Sequence, residues 1–91
     1  MKDIEVIDLV NLTASEPKVI EVEGKLINLE GFFFMEGIVK RIVIENYGGL
    51  RQISVYSDNK KIANYPFLNK RECVIEKVTE DGDEVIVIKV K

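Results

Sequence analysis

The stretch 31-GFFFMEGIVKRIVIENYGGLRQISVYS-57 decides the fold, because it contains two strand patterns joined by a turn signal. β-Branched and aromatic residues dominate it, as they do in β-strands. The turn signal is 46-NYGG-49, since glycine supplies the positive φ that a tight reversal needs. Apolar and polar residues then alternate over 51–57, which predicts a strand with Ile53 and Val55 on one face and Tyr56 on the other.

The consecutive rings of Phe32, Phe33 and Phe34 raise a question about what covers them. Successive side chains of a strand point to opposite faces, so these three cannot all enter one core. Three covers are open: another part of the chain, a partner protein, or a nucleic-acid base. The sequence does not decide which ring is exposed.

The patterns in much of the rest of the chain also predict short strands. Residues 20–26 alternate between apolar and polar, and Gly24 precedes a slip in that alternation, which predicts a bulge or a bend. Residues 73–79 and 84–90 predict two more strands, joined at the hairpin signal 81-DG-82.

Two segments are less regular. Residues 58–72 are polar and contain Pro66, and a single helical turn over 59–64 with Asp58 as its N-cap fits them. Residues 4–12 fit either a helical stripe or an edge strand.

Length and composition predict one folded domain over residues 1–91, with 46% hydrophobic and 32% charged residues. No apolar run approaches the roughly 20 residues of a membrane span, and the first residues do not resemble a secretory signal. We therefore expect an intracellular protein with no membrane partner. Cys73 lies beside Val74 and Ile75, so we interpret it as strand filling.

The residue types needed for catalysis are scarce. The chain has no histidine, no Cys–His or Ser–His pairing, no phosphate-binding glycine loop and no metal-ligand spacing. We therefore expect a binding protein that is not an enzyme and has no cofactor or metal.

Charge is distributed unevenly along the chain. Residues 37–71 contain seven Lys and Arg against two Asp and Glu, whereas residues 1–36 contain three against eight and residues 72–91 three against six. The net charge of −3 hides this basic middle segment.

The order of elements resembles an OB-fold, on the residues 19-VIEVEGKLINL-29, 47-YGGLRQISVYS-57 and 73-CVIEKVTEDGDEVIVIKV-90. The entry 4-IEVIDLVNL-12 is similar to that of single-stranded-DNA-binding domains of the replication protein A type. The resemblance implies an all-β, five-stranded barrel over residues 18–91, after a lead-in segment 1–17 and with a short helical turn between strands three and four.

The resemblance also implies a nucleic-acid-binding face on strands two and three. The residues of this sequence at that face are Lys40, Arg41, Arg51, Gln52, Ser54 and Tyr56, with Tyr47 at the turn. Two loops depart from the pattern, because residues 80–84 and the short Glu30-Gly31 are acidic and repel phosphate.

The chain is also similar to small OB-type accessory subunits of archaeal family-B DNA polymerases. This implies a non-catalytic subunit that docks on a larger protein of DNA replication or processing, such as a DNA polymerase, and assists in binding a nearby single-stranded DNA. The anchor candidates for that partner are Phe33, Met35, Tyr65 and Phe67, because aromatic and Met side chains are enriched at interfaces.

Other interpretations remain open. Residues 65–68 can instead close the end of the fold. The whole protein can be an autonomous binder of single strands, which would use Lys40, Arg41, Tyr47, Arg51 and Tyr56, or a homodimer that pairs through the Phe run.

Overall fold

The computed structural model describes residues 2–12, 17–26, 33–34 and 37–91, with the backbone alone for 2–5 and 33–34. Every regular element in these ranges is a β-strand. The strands are β1 (Lys2–Asp8), β2 (Lys18–Leu26), β3 (Phe33–Phe34), β4 (Ile38–Tyr47), β5 (Leu50–Ser57), β6 (Lys60–Pro66), β7 (Glu72–Glu80) and β8 (Asp83–Val90).

The strands form one open sheet in the order β1-β7-β8-β2-β4-β5-β6-β3. It contains seven strands of seven to ten residues and the two-residue β3. Within the described ranges, the edge strands β1 and β3 do not pair with each other. The all-β prediction is confirmed, but the five-stranded OB-fold-like barrel is wrong. Strand patterns in the sequence identify strands, whereas pairing between distant strands decides whether a sheet closes.

The predicted helical turn over 59–64 is also wrong. These residues belong to strand β6, which pairs antiparallel with β5 from Ser57↔Lys60 to Gln52↔Pro66. A two-residue turn at Asp58-Asn59 joins the strands, and Asp58 adopts a φ of 55°. Pro66 ends β6 because it has no N–H to donate to a ladder. The polar residues of this segment reflect an exposed strand face.

Three local predictions are confirmed. Strands β4 and β5 join at Gly48-Gly49, where Gly48 has a φ of 64°. Strands β7 and β8 join at Asp81-Gly82, where both residues have positive φ, as a type I′ hairpin requires. The ladder between β2 and β4 contains a register shift between Glu21 and Gly24, at the bulge that Gly24 predicted.

The start of the chain forms an edge strand, so the strand alternative for residues 4–12 describes Lys2–Asp8 correctly. Strand β1 pairs antiparallel with β7. The Asp8 carboxylate ends it by accepting hydrogen bonds from Val10 N at 3.0 Å and Asn11 Nδ2 at 2.6 Å. The bond from the Asn11 side chain, followed by that from the Val10 backbone, lowers the pKa of Asp8.

The sheet bends so that its two halves cover one core. A flat sheet would separate β1 from β4 by about 19 Å, at ~4.8 Å per strand. Yet Asn46 Nδ2, at the end of β4, donates to Leu12 O just beyond β1, at 3.2 Å. One buried cluster contains side chains from all seven longer strands, with Ile42, Ile53 and Ile75 fully buried. We call the face that carries this cluster the core face, and the opposite side the outer face.

A short parallel pairing joins the two halves of the sheet. Strand β2 pairs with β8 at Lys25↔Val85 and Leu26↔Ile86, and we call this junction the β2–β8 seam. Gly24 lets the strands approach closely. A Cβ at Gly24 would lie 2.8 Å from Ile86 Cγ1 and 3.0 Å from the Glu84 carbonyl oxygen, closer than carbon atoms pack.

Lys89→Met is expected to lower the free energy of unfolding by about 1–3 kcal/mol. Lys89 Nζ lies 2.9 Å from Glu76 Oε1, and the Glu76 side chain is only 6% exposed. Glu76 Oε2 is buried without a hydrogen-bond partner in the described ranges, so the lysine is the cation that compensates this carboxylate. Urea denaturation measures the change.

The matched control is Lys91→Met. Lys91 Nζ lies 3.8 Å from Glu72 Oε1, and both side chains are exposed, at 71% and 43%. Exposed pairs contribute about 0–1 kcal/mol, so this change should be nearly neutral. Equal losses in the two variants would show that burial of Glu76 does not determine the effect.

Candidate functional site

A cationic and aromatic cluster lies on the outer face of β4, β5 and β6. Arg41 pairs in register with Tyr56, and Tyr56 pairs with Lys61. Arg41 Cζ lies 4.5 Å and Lys61 Nζ 5.9 Å from the centroid of the Tyr56 ring. Both are cation–π distances. We call these three residues the Tyr56 cluster.

The strand order explains why these residues meet. Ile53 and Val55 are fully buried on the core face of β5. Tyr56 has the opposite parity along this strand, so its ring points to the outer face. The turn at Asp58-Asn59 returns the chain at once, which places Lys61 beside the ring. Lys61 is exposed, whereas Tyr56 is half-buried. The cluster is therefore fixed by two hairpins and open to solvent on its cationic side.

The electrostatics of the cluster are favourable for an anion. The two cations Arg41 and Lys61 both lie over the Tyr56 ring. An exposed cation–π contact is worth only about 0.5–1 kcal/mol, so either cation can turn toward a ligand at little cost. Glu21 faces Arg41 across the β2–β4 ladder and is the nearest opposing charge in register.

A second row lies beside the cluster on the same face. It consists of Val43, Ser54 and Asn64, which pair across β4, β5 and β6. Ser54 is 0% exposed although it lies on the outer face. Ser54 Oγ and Asn64 Oδ1 are both buried and have no hydrogen-bond partner in the described ranges. This row therefore contains two polar atoms that no residue of the described ranges pairs.

The structure brings together only part of the predicted nucleic-acid set. Arg41 and Tyr56 are in contact. Lys40 is next to Arg41, but its Nζ lies 3.1 Å from Glu23 Oε2, which compensates its charge. Tyr47 is exposed on the outer face at the far end of the β4–β5 hairpin, about 20 Å from Tyr56 at ~3.4 Å per residue.

Arg51 lies on the opposite face from Tyr56. Its position on β5 has the parity of Ile53 and Val55, and its Nε donates to Asn46 Oδ1 at 2.9 Å. Asn46 is buried and donates in turn to Leu12 O. Arg51 therefore links the end of β4 to the segment after β1, and the expectation of one face shared by all the cations does not hold for it.

The predicted partner anchors have different environments. Phe67 is 2% exposed and is the largest fully buried side chain of the described ranges, so the interpretation that this loop closes the fold describes it, and its ring does not lie on the surface. Tyr65 is half-buried and packs against the core. The Phe33 backbone pairs with Asn64. Met35 and Phe32 lie outside the described residues.

Lys61 is the site residue that the sequence analysis missed. Reading 59–64 as a helical turn removed it from the sheet. The Asp-Asn pair at 58–59 was the available signal, because both residue types tolerate the left-handed conformation of a two-residue hairpin turn. A strand after that turn places Lys61 directly opposite Tyr56.

Other site types find little support in the described ranges. Burial raises the pKa of the Cys73 thiol to about 12, so it is not an available nucleophile. No three His, Cys, Asp or Glu side chains of these ranges are grouped as metal ligands. The part of the chain that the structure describes also has no helix of the length and apolarity of a membrane span.

Comparisons of the chain with protein-family models, with curated proteins and with solved structures found no match. The function therefore has to be argued from the Tyr56 cluster and its surroundings.

Proposed function

We propose that this protein is a non-catalytic binding module that holds single-stranded nucleic acid on the outer face of β4, β5 and β6. The observation that carries the proposal is the position of Arg41 and Lys61 at 4.5 and 5.9 Å from the centroid of the Tyr56 ring. Single-strand binders combine aromatic platforms with cations that follow the backbone, and this cluster supplies both within one row of the sheet.

The two kinds of group have separate roles. The Tyr56 ring and the flat Arg41 guanidinium offer a surface on which a base stacks, because bases stack on both. Lys61 holds the phosphate on the solvent side of that base. Since every base has an aromatic face, this part of the interaction is independent of sequence.

The distribution of charge along the chain supports the same half of the sheet. Strands β4, β5 and β6 lie in the basic middle of the chain, where seven Lys and Arg face two Asp and Glu over residues 37–71. The acidic hairpin at Asp81-Gly82 belongs to β7 and β8, on the other side of the β2–β8 seam. Phosphate is thus attracted to one half of the sheet and repelled by the other.

Tyr56→Ala is expected to weaken binding of a labelled 12-nucleotide single-stranded DNA by about 5- to 150-fold, because stacking on an aromatic side chain contributes ~1–3 kcal/mol per base. Fluorescence anisotropy at low salt measures the affinity. Lys61→Gln and Arg41→Gln should each reduce the slope of log affinity against log salt by about 0.7, the value for one phosphate contact on a single strand.

Two controls accompany these variants. Tyr56→Phe keeps the ring and should bind as the unchanged protein does. Arg51→Gln removes a cation that faces the core, so it should leave the salt slope unchanged. Absence of binding to any single strand at low salt, or equal affinity of the Tyr56→Ala and unchanged proteins, would contradict the proposal.

A second candidate is the accessory subunit that docks on a larger protein. Tyr47 and Leu50 pair at the end of the β4–β5 hairpin and are 40% and 43% exposed. Leu68 is 65% exposed and follows Phe67, whose N–H donates to Arg51 O next to Leu50. Exposed aromatic and aliphatic side chains of this kind suit a protein partner. Co-purification from the native host that is lost in Leu50→Asp and kept in Tyr56→Ala would support it.

A further inference from the structure

We infer that Glu21 and Glu45 restrict the Tyr56 cluster to single strands by repelling the second backbone of a duplex. This inference rests on the proposed function, because it requires a strand bound at Tyr56. It adds discrimination between single and double strands. The attraction of the two cations for phosphate does not supply this discrimination, since both ligands carry phosphate.

Glu21 continues the row of the cluster onto the next strand. From β6 to β2, the outer-face row consists of Lys61, Tyr56, Arg41 and Glu21, each paired in register with the next. Glu21 follows the buried Ile20 with the opposite parity, and its side chain is exposed. It therefore lies about 14 Å from Lys61, three strands away at ~4.8 Å per strand.

Glu45 flanks the cluster in the other direction of the sheet. It lies on β4 four residues after Arg41 and has the same parity, so it is also on the outer face. The separation along the strand is about 14 Å at ~3.4 Å per residue. Gln52 pairs with Glu45 on β5, so the position opposite this carboxylate holds no cation.

Both carboxylates lack an ion-pair partner among the residues that the structure describes. The ion pairs of these ranges engage four other glutamates, namely Glu23, Glu72, Glu76 and Glu84. Glu21 faces Arg41 in register, but the Arg41 guanidinium lies over the Tyr56 ring instead. The negative charges of Glu21 and Glu45 are therefore directed at a ligand that crosses the outer face.

A duplex meets these charges because its two backbones are one groove apart. The major groove of B-form DNA is ~12 Å wide, close to the separation of each carboxylate from the cations. Toward β3, which has two residues, and beyond the turn at Asp58-Asn59, the sheet ends. A duplex with one backbone on the cations therefore places the other near Glu21 or near Glu45, whereas a single strand has no second backbone to place.

The test measures two affinities at low salt, for a labelled 12-nucleotide single strand and for the 12-base-pair duplex with its complement. In the double variant Glu21→Gln with Glu45→Gln, we expect duplex affinity to rise about tenfold, because like charges brought together strongly oppose binding. Single-strand affinity should rise by no more than about twofold, since only the longer-range, screened repulsion is removed.

The matched control is Glu80→Gln with Asp83→Asn. These residues pair at the exposed end of the β7–β8 hairpin, and their replacement changes the net charge by the same amount. The control should leave the ratio of the two affinities unchanged. An unpaired base also stacks on an aromatic ring more readily than a paired one, so the change in the ratio between variants tests the inference.

The outcomes separate the inference from the proposed function. Single-strand binding with a ratio that the Glu21 and Glu45 changes do not alter overturns the inference and leaves the proposed function intact. An equal change in the control also overturns it, because net charge alone then explains the discrimination. Binding of neither ligand overturns both. Glu21→Gln alone should give part of the effect, and it carries the test if the double variant does not fold.

Discussion

Phe67→Ala is expected to lower the free energy of unfolding by about 3–5 kcal/mol, the usual cost of removing a buried phenylalanine side chain. Phe67 is 2% exposed and belongs to the core cluster although it lies outside the strands. Its N–H donates to Arg51 O at 3.2 Å, and its carbonyl oxygen accepts from Lys70 N at 3.0 Å. These two backbone hydrogen bonds fix the position of Phe67, and its ring lies in the core.

Chemical denaturation followed by circular dichroism measures this loss. Leu68→Ala is the matched control, since Leu68 is the next residue and is 65% exposed. It should change stability by no more than about 0.5 kcal/mol. If Phe67→Ala were as stable as Leu68→Ala, the loop would not close the core and Phe67 would again be available as a partner anchor.

Gly24→Ala is expected to cost about 1–3 kcal/mol, because it overpacks the β2–β8 seam. The added Cβ would meet Ile86 Cγ1 at 2.8 Å and the Glu84 carbonyl oxygen at 3.0 Å. The backbone oxygen cannot turn aside as a side chain can. The two register pairs of the seam must therefore separate, and this loosens the junction between the halves of the sheet.

Gly49→Ala is the control for this change. A Cβ at Gly49 meets no atom within 4 Å, and its φ is not in the left-handed region, so the variant should be close to neutral. Combining Gly24→Ala with Ile86→Ala tests the cause, because removal of Ile86 Cγ1 should make the double variant more stable than the sum of the single losses predicts. If the losses of the two single variants simply add in the double variant, the contact with Ile86 is not the cause of the strain.

Strands and turns could be predicted from the sequence because they depend on neighbours along the chain. The parity of Ile53 and Tyr56 and the turn at Asp81-Gly82 are of this kind. The sheet order could not be predicted in the same way. The seam pairs Lys25 with Val85, about 60 residues further along, and no local pattern identifies such a pairing.

The candidate site was partly predictable for the same reason. Arg41 and Tyr56 lie on strands joined by one tight turn, so their proximity follows from the hairpin. The alternation along β5 already separated Arg51 from Tyr56, and grouping them by charge overlooked it. Phe67 is buried because the bent sheet encloses a core beside its loop. The order of polar and apolar residues along that loop does not indicate such a bend.

The order in which the molecule folds follows from the seam. The hairpins of β4, β5 and β6 and of β7 and β8 close loops of two residues, which form within microseconds. Joining β2 to β8 closes a loop of about 60 residues, and such long closures dominate the entropic barrier. The surface that carries Tyr56 should therefore form early in folding. The pairing of β2 with β8, which joins the two halves of the sheet, should be the rate-limiting step.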